Sequence, residues 1–165
     1  MCEVKAVLFD LDGTLTQSEE GIWNCVRHAA AKMGIEAPDE GTLRKFVGPP
    51  LVYSFQAYLG MSEQDAWRAV AFYRERYNSI GLFENRVYPG VRRLLTRLKR
   101  AGYYVAIATG KPQEPTERIL AKFGLEKFFD KVAGTRPEDA SAGKVGLIRK
   151  VLPEHYDRSE ERRVG

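Results

Sequence analysis

Two aspartates stand two residues apart where an apolar run gives way to a glycine. The stretch is KAVLFDLDGTLTQSEE, Lys5–Glu20, and its carboxylates are Asp10 and Asp12. Residues two apart on an extended segment point the same way, so both side chains can face one ligand. Two carboxylates this close repel unless a cation or a proton intervenes, and Mg²⁺, which prefers oxygen ligands, would also attract a phosphate. The spacing therefore predicts that Asp10 and Asp12 form a Mg²⁺- and phosphate-binding site.

Gly13 follows the second aspartate directly. Glycine lets the backbone turn tightly, because it has no side chain to clash. We expect this turn to leave backbone amides free to bind anionic oxygens.

Three short apolar segments predict the strands that position these residues. They are Val4–Phe9, Tyr103–Ala108 and Lys131–Ala133. Helical patterns alternate with the last two, which predicts βαβ order and a parallel sheet. Ligands gather beyond the carboxyl ends of parallel strands. Asp10, Thr109 and the loop after Ala133 all lie at such ends, so we expect them to converge.

Apolar residues at helical spacing predict the remaining elements. The expected helices start near Ser18, Glu40, Leu51, Ser62, Val91, Pro115 and Lys144. The first four belong to an all-helical block from Thr16 to Asn85. The expected fold class is thus α/β, a Rossmann-like parallel sheet core (residues 1–15 and 86–157) with an inserted helical cap (residues 16–85).

The composition limits which partners and which cellular location we expect for the protein. Of 165 residues, 44% are apolar and 29% are charged, with a net charge of +4. Lys and Arg are mixed with Glu along the helices, so we expect no nucleic acid polymer as partner. Two cysteines without metal-ligand spacing favour a reducing cytoplasm over a disulfide framework. No leader and no apolar run of roughly 18 residues is visible, so we expect no membrane association.

The motifs resemble those of the haloacid dehalogenase superfamily, most of whose members are Mg²⁺-dependent phosphohydrolases. DLDGT at Asp10–Thr14 resembles the first signature, Thr109 in VAIATGKP the second, and Lys144 in GKVGLIRKVL the third. Together with FVGPPL and FENRVYPG, these segments resemble the phosphoglycolate-phosphatase-like branch, which includes nucleotidases. Plainer interpretations are a simple turn at the aspartates, a helix cap for Thr109 and a surface lysine for Lys144.

The resemblance implies a role for each matched residue. Asp10 would attack phosphorus and form an aspartyl phosphate, while Asp12 would protonate the leaving oxygen and later activate water. Thr109 and Gly110 would bind the phosphoryl oxygens, and Lys144 would offset the charge around Asp10. Mg²⁺ would bind the Asp10 carboxylate and the Asp12 carbonyl. In the family, a later Gly-Asp pair supplies a further carboxylate ligand to Mg²⁺. No Gly-Asp pair follows Lys144 in this sequence.

The resemblance also implies a small phosphomonoester as substrate, similar to phosphoglycolate or a nucleotide. Its recognition would fall to the cap, where the candidate contacts are Arg44, Phe46 and Gly48. Two other functions fit the same residues. One is a noncatalytic protein that binds phosphate or Mg²⁺, and the other is a phosphomutase of the same fold.

The last eight residues, RSEERRVG, lack any pattern. They resemble a translated sequencing adapter, so we expect residues 158–165 to be a non-native tail. The resemblance to the family ends close to this junction, before a fourth strand. We therefore expect the sheet core to be incomplete at its C-terminus and the chain to be inactive.

Overall fold

A computed structural model describes residues 5–137 and 143–153. The chain divides into two units, Met1–Asp10 with Pro89–Gly165 (the sheet unit) and Leu11–Tyr88 (the helical unit). The predicted Val4, and the tail 158–165, lie outside the described residues.

The sheet unit has a three-stranded parallel sheet at its centre. The strands are β1 (Ala6–Phe9), β4 (Tyr104–Pro112) and β5 (Lys131–Thr135), in the order β1-β4-β5. Phe9 pairs with Ile107, and Ala108 pairs with Ala133. The parallel α/β fold predicted from the sequence is thereby confirmed.

Three helices of the sheet unit pack against this sheet. They are α5 (Val91–Arg100), α6 (Gln113–Phe123) and α7 (Gly143–Val151). Leu147 and Val151 of α7 pack on Ala106 and Ala108 of β4. Alternation along the strand turns Val105 and Ile107 to the opposite face, and both are also fully buried. The apolar run of β4 thus reflects a strand that is covered on both faces.

The helical unit contains four α-helices. They are α1 (Glu19–Lys32), α2 (Glu40–Arg44), α3 (Leu51–Leu59) and α4 (Glu63–Ser79). The side chain of Ser62 caps α4 by accepting from the amide of Asp65, as its sequence position predicts. Ser18 precedes α1, but its hydroxyl makes no capping bond.

The helical unit also contains a strand pair that the sequence analysis missed. β2 (Thr16–Gln17) and β3 (Arg86–Val87) form an antiparallel ribbon. The Tyr88 amide extends the ribbon by donating to the carbonyl of Leu15, at 3.1 Å. Two-residue strands carry no periodicity, so the expectation of an all-helical block from Thr16 was wrong at this end.

One ion pair ties the end of α4 to the segment before β3. Arg76 donates to both carboxylate oxygens of Glu84, at 2.6 and 2.8 Å. These hydrogen bonds hold the pKa of Glu84 below its usual value of 4.5. Because the folded pKa is lowered, the pair stabilises the fold above that usual value and loses its effect as the pH falls through the lowered pKa.

Candidate active site

Asp10 and Lys144 come together at the carboxyl edge of the sheet. Asp10 follows β1 directly, and the Nζ atom of Lys144 donates to its Oδ2 atom. Leu147 packs α7 onto β4, which places Lys144 in the first turn of that helix beside the edge. The Asp10 side chain is 32% exposed and that of Lys144 57%. The pair is therefore open to a ligand, and Lys144 is more than a solvated surface lysine.

A bulge in β4 carries the other two phosphate-binding candidates of this unit. Ala108 and Pro112 pair with Ala133 and Thr135, so four steps along β4 match two along β5. Thr109 and Gly110 lie inside this bulge, one and two positions beyond the residue level with Asp10. The strand thus continues past Ala108, where the sequence analysis ended it. Bulges often occur beside active sites because they redirect side chains.

The two bulge residues have different surroundings. Thr109 is 1% exposed, and its hydroxyl accepts from the Lys111 amide at 3.3 Å. Thr109 does not cap α6, whose N-cap residue is Pro112. Gly110 is exposed, and a side chain built at this position would meet nothing within 4 Å. Its carbonyl accepts from the Thr135 hydroxyl at 3.2 Å. The bulge therefore leaves Gly110 accessible at this edge.

Gln113 holds β5 against the start of α6, a role that the sequence analysis did not detect. Its Oε1 atom accepts from the Gly134 amide at 2.5 Å, and its Nε2 atom donates to the Val132 carbonyl at 3.4 Å. A Cβ atom on Gly134 would lie 2.7 Å from the backbone of both Gln113 and Lys111. Glycine is thus required at position 134, where β5 approaches the backbone of Lys111 and Gln113.

We predict that Gly134→Ala lowers the free energy of unfolding by roughly 1–3 kcal/mol, because backbone atoms cannot move aside as a side-chain end can. Urea unfolding followed by circular dichroism measures the change. Gly110→Ala is the matched control, since its site is open, and we expect a change of less than about 0.5 kcal/mol. Equal stability of the two variants would contradict the close approach at Gly134.

Asp12 lies in a tight loop of the helical unit. The carbonyl of Leu11 accepts from the amides of Thr14, Leu15 and Thr16, at 3.3, 2.9 and 3.1 Å. Leu11 and Leu15 are buried and anchor the loop, while Asp12 is half-buried. Gly13 has φ +74°, a conformation that favours glycine. Its amide donates to the Thr16 carbonyl at 2.9 Å, so the expectation of free amides was wrong for Gly13 and Thr14.

The cap candidates occupy different environments. Phe46 is 2% exposed, and its ring packs edge-on against Phe55, with a centroid distance of 5.1 Å. It is a core side chain in this structure and does not reach the surface. Gly48 is exposed, with φ +111°. Arg44 is exposed and pairs with Glu40 at 2.6 Å. Of the three candidates, only Arg44 and Gly48 are placed to meet a ligand.

Arg44 lines a groove within the helical unit. We define the cap groove as a concavity of about 570 Å³ lined by Gln17, Glu19, Glu20, Trp23, Arg44, Val47 and Arg86. Arg86, in β3, pairs with Glu20 in α1 at 3.0 Å. Trp23 and Arg86 are 63 positions apart, so no spacing in the sequence predicts that they line the same groove.

Two features are absent from the described part of the chain. No group of three or more His, Cys, Asp or Glu side chains there could hold a metal ion. None of the helices in residues 5–137 and 143–153 is both long and apolar enough to cross a bilayer.

A parallel sheet with an aspartate and a lysine at its carboxyl edge, and DLDGT after its first strand, defines the class of protein. The chain belongs to the family of haloacid dehalogenase-like hydrolases, whose model matches residues 7–160. The resemblance found in the sequence is thereby confirmed.

Several curated proteins of this family are similar in sequence to the chain. A 5'-nucleotidase of Pseudomonas aeruginosa is 41% identical over 146 residues, which are 88% of this chain and 66% of that protein. A phosphoglycolate phosphatase of Mesorhizobium japonicum is 30% identical over 78% of this chain and 59% of its own length. A Mycobacterium tuberculosis protein named a tyrosine-protein kinase is 36% identical, and the match covers 50% of it. The chain thus spans about half to two thirds of these curated relatives.

Solved structures show the same fold. A predicted phosphatase from Clostridium acetobutylicum superimposes with a TM-score of 0.80 at 40% identity, over 90% of this chain and 69% of that one. A haloacid dehalogenase-like hydrolase from Streptococcus pneumoniae gives a TM-score of 0.82 at 33% identity, over 89% and 68%. The similarity therefore covers nearly all of this chain.

Proposed function

We propose that the protein containing this chain is a Mg²⁺-dependent phosphohydrolase that cleaves a small phosphomonoester through an aspartyl phosphate on Asp10. The observation that carries the proposal is the Asp10–Lys144 pair at the carboxyl edge of the sheet. A neighbouring ammonium offsets the negative charge that arrives with a phosphoryl group. Phosphoryl transfer depends chiefly on such positioning and charge stabilisation.

The residues of the chain account for both halves of the reaction. A carboxylate oxygen of Asp10 attacks phosphorus, the bond to the ester oxygen breaks, and Asp12 gives that oxygen a proton. Asp12 then takes a proton from water, the water oxygen attacks phosphorus, and phosphate leaves while Asp10 is restored. Thr109 and Gly110 hydrogen-bond the phosphoryl oxygens. Asp10 and Asp12 are two residues apart along the chain, and this spacing supports their shared role.

The donor chemistry of these residues fits Mg²⁺. Asp10 and Asp12 provide hard carboxylate oxygens, and Mg²⁺ in phosphoryl-transfer sites is held by one or two carboxylates together with water and substrate phosphate. We propose the Asp10 carboxylate and the Asp12 carbonyl as its ligands. When bound, the ion supplies positive charge that polarises the phosphoryl oxygens.

The substrate is proposed to be a small phosphorylated metabolite, like those in the names of the nucleotidase and phosphoglycolate phosphatase relatives. Arg44 and Gly48 are the proposed contacts in the helical unit. We propose a cytoplasmic location, because the sequence has only two cysteines.

We further propose that the 165-residue chain is inactive by itself. Among the described residues, no group of three or more His, Cys, Asp or Glu side chains could hold a metal ion. The chain also spans only 66% of the Pseudomonas aeruginosa relative. The experiments below therefore use an extended chain, defined as residues 1–152 followed by the sequence that comes after the matched region in that relative.

We predict that Asp12→Asn in the extended chain lowers phosphate release from an alkyl phosphate by roughly 10²–10⁴-fold, because the leaving oxygen loses its proton donor. An aryl phosphate, whose leaving group needs no proton, should still phosphorylate the protein and then trap it in that form. Release of inorganic phosphate and retention of covalent label measure the two steps.

Asp65→Asn is the matched control, because it makes the same change in a carboxylate of α4 that bonds Arg68 at 3.2 Å. We expect its rates to equal those of the parent. A noncatalytic binder would show no turnover in any variant. A phosphomutase would move the phosphoryl group to a sugar phosphate faster than to water. Either result would replace the hydrolase assignment.

A further inference from the structure

We propose that the outer face of α5 binds a free inorganic oligophosphate, a compact chain of two or more phosphate groups. The site is the arginine pocket, a concavity of about 560 Å³ within the sheet unit. Its lining residues are Arg92, Arg93, Thr96, Arg97 and Arg100. None of them belongs to the candidate active site, so this proposal is independent of the reaction proposed for Asp10.

The positive charge of the chain is concentrated in α5. Five of its ten residues are Lys or Arg, and none is acidic. Without this helix, the formal net charge of the sequence falls from +4 to −1. The sequence analysis described Lys and Arg as mixed with Glu along the helices, and α5 is an exception. An anion near this chain is therefore attracted to α5.

The helical period places the lining residues on one side of α5. Val91 and Leu95 are buried, whereas the four arginines are exposed. At 3.6 residues per turn, positions 92, 93, 96, 97 and 100 fall within roughly 140° on the side opposite Val91 and Leu95. Arg93 and Arg100 are about 10 Å apart along the helix axis. Side chains of this length can converge on one short phosphate chain.

Three of the arginines have no carboxylate partner among the described residues. They are Arg93, Arg97 and Arg100. Lys99, on the same helix, is instead held by Asp130 at 2.7 Å. Arginine can form two parallel hydrogen bonds to phosphate oxygens. The three guanidinium groups are therefore available to such a ligand.

This arrangement costs stability when no anion is bound. Arg93 lies four positions before Arg97, and Arg97 three before Arg100, and like charges at these spacings repel. Arg92 and Arg93 also lie in the first turn, where the helix dipole favours acidic side chains. A helix that only covered the sheet would be more stable with acidic residues at some of these positions. The repulsion therefore indicates an anionic ligand.

The lining favours a compact inorganic anion over a nucleotide or a nucleic acid. Among the described residues that form it, there is no aromatic ring on which a base could stack. The volume lies within the roughly 300–1,000 Å³ that is typical of small-molecule sites. A nucleic acid would extend beyond α5, where the remaining residues supply no net positive charge.

Calorimetry without Mg²⁺ tests the site, with tripolyphosphate as the probe. The 165-residue chain and the extended chain both contain α5, and we expect both to bind one tripolyphosphate, more weakly as NaCl is added. Arg93→Gln and Arg97→Gln should each weaken binding by about tenfold, because each removes a charge-assisted contact. Absence of binding, or unchanged affinity in both variants, would overturn the proposal.

Two control variants separate the arginine pocket from other sites. Arg118→Gln removes the same charge from α6, where Arg118 pairs with Glu114 at 3.3 Å, and should bind as the parent does. Lys144→Gln should also bind as the parent does. A loss of binding in Lys144→Gln alone would place the anion beside Asp10 and refute the proposal. Tighter binding of ATP or of a short RNA than of tripolyphosphate would refute the inorganic ligand.

Thermal unfolding followed by circular dichroism gives a second readout. Without ligand, Arg97→Gln should melt at or above the temperature of the parent, because it relieves repulsion within α5. Tripolyphosphate should raise the melting temperature of the parent more than that of Arg97→Gln. An equal rise in both proteins would show that the anion does not bind through Arg97, contrary to the proposal.

Discussion

Asp10→Asn in the extended chain is expected to abolish Mg²⁺-dependent phosphate release, leaving only the rate measured without protein. The amide cannot form the acyl phosphate, so the reaction loses its nucleophile and not merely a binding contact. Lys144 would also lose the carboxylate that it contacts. A phosphate-release assay over a panel of phosphomonoesters measures the effect.

The sheet unit contains a matched control for this substitution. Asp130 is also held by a lysine, with Lys99 Nζ 2.7 Å from both carboxylate oxygens. Asp130 additionally accepts from the Val105 amide at 2.8 Å. Asp130→Asn should therefore cost stability while turnover per folded molecule stays unchanged. Undiminished turnover in Asp10→Asn, or its equal loss in both variants, would rule out a special role for Asp10.

Extending the chain is expected to convert an inactive, self-associating protein into a monodisperse phosphatase. β1 is at the edge of the sheet among the described residues, and all four of its residues are partly exposed. In β4, by contrast, Val105, Ala106 and Ile107 are fully buried. An exposed apolar edge strand pairs readily with other chains. We expect light scattering to show association of the 165-residue chain and to show none for the extended chain.

Enzyme assays complete this comparison. With Mg²⁺, the 165-residue chain should release no phosphate above background, whereas the extended chain should turn over. Chelation of Mg²⁺ should then stop the extended chain. A monodisperse 165-residue chain with Mg²⁺-dependent turnover would refute the inactivity proposal and require a further metal ligand among residues 5–153.

Strong local patterns explain what the sequence predicted well. The helix expected to start near Leu51 begins there, directly after Pro50, and it ends at Leu59 before Gly60, which has φ +65°. The apolar run before Asp10 is a strand of the parallel sheet. The contact between Asp10 and Lys144, which are 134 positions apart, required only that β1 and α7 meet the same edge of the sheet.

Features that depend on tertiary contacts were not predictable. The bulge at Thr109–Lys111 exists because β4 and β5 pair on both sides of a local mismatch, which no periodicity records. The requirement for glycine at position 134 comes from the backbone of Gln113. Phe46 lay beside a loop that suggested substrate contact, yet its ring is enclosed by Phe55 and Tyr58. Adjacency along the chain did not reveal the direction of that side chain.

Trapping the covalent intermediate would show directly whether Asp10 carries the phosphoryl group. The extended chain with Asp12→Asn would be incubated with an aryl phosphate and Mg²⁺, quenched with acid, and treated with borohydride, which reduces an acyl phosphate to an alcohol. Fragmentation mass spectrometry then assigns the reduced residue. We expect reduction at Asp10 alone, and none in the variant that also carries Asp10→Asn. Reduction at any other carboxylate, or phosphate release without a reducible intermediate, would contradict it.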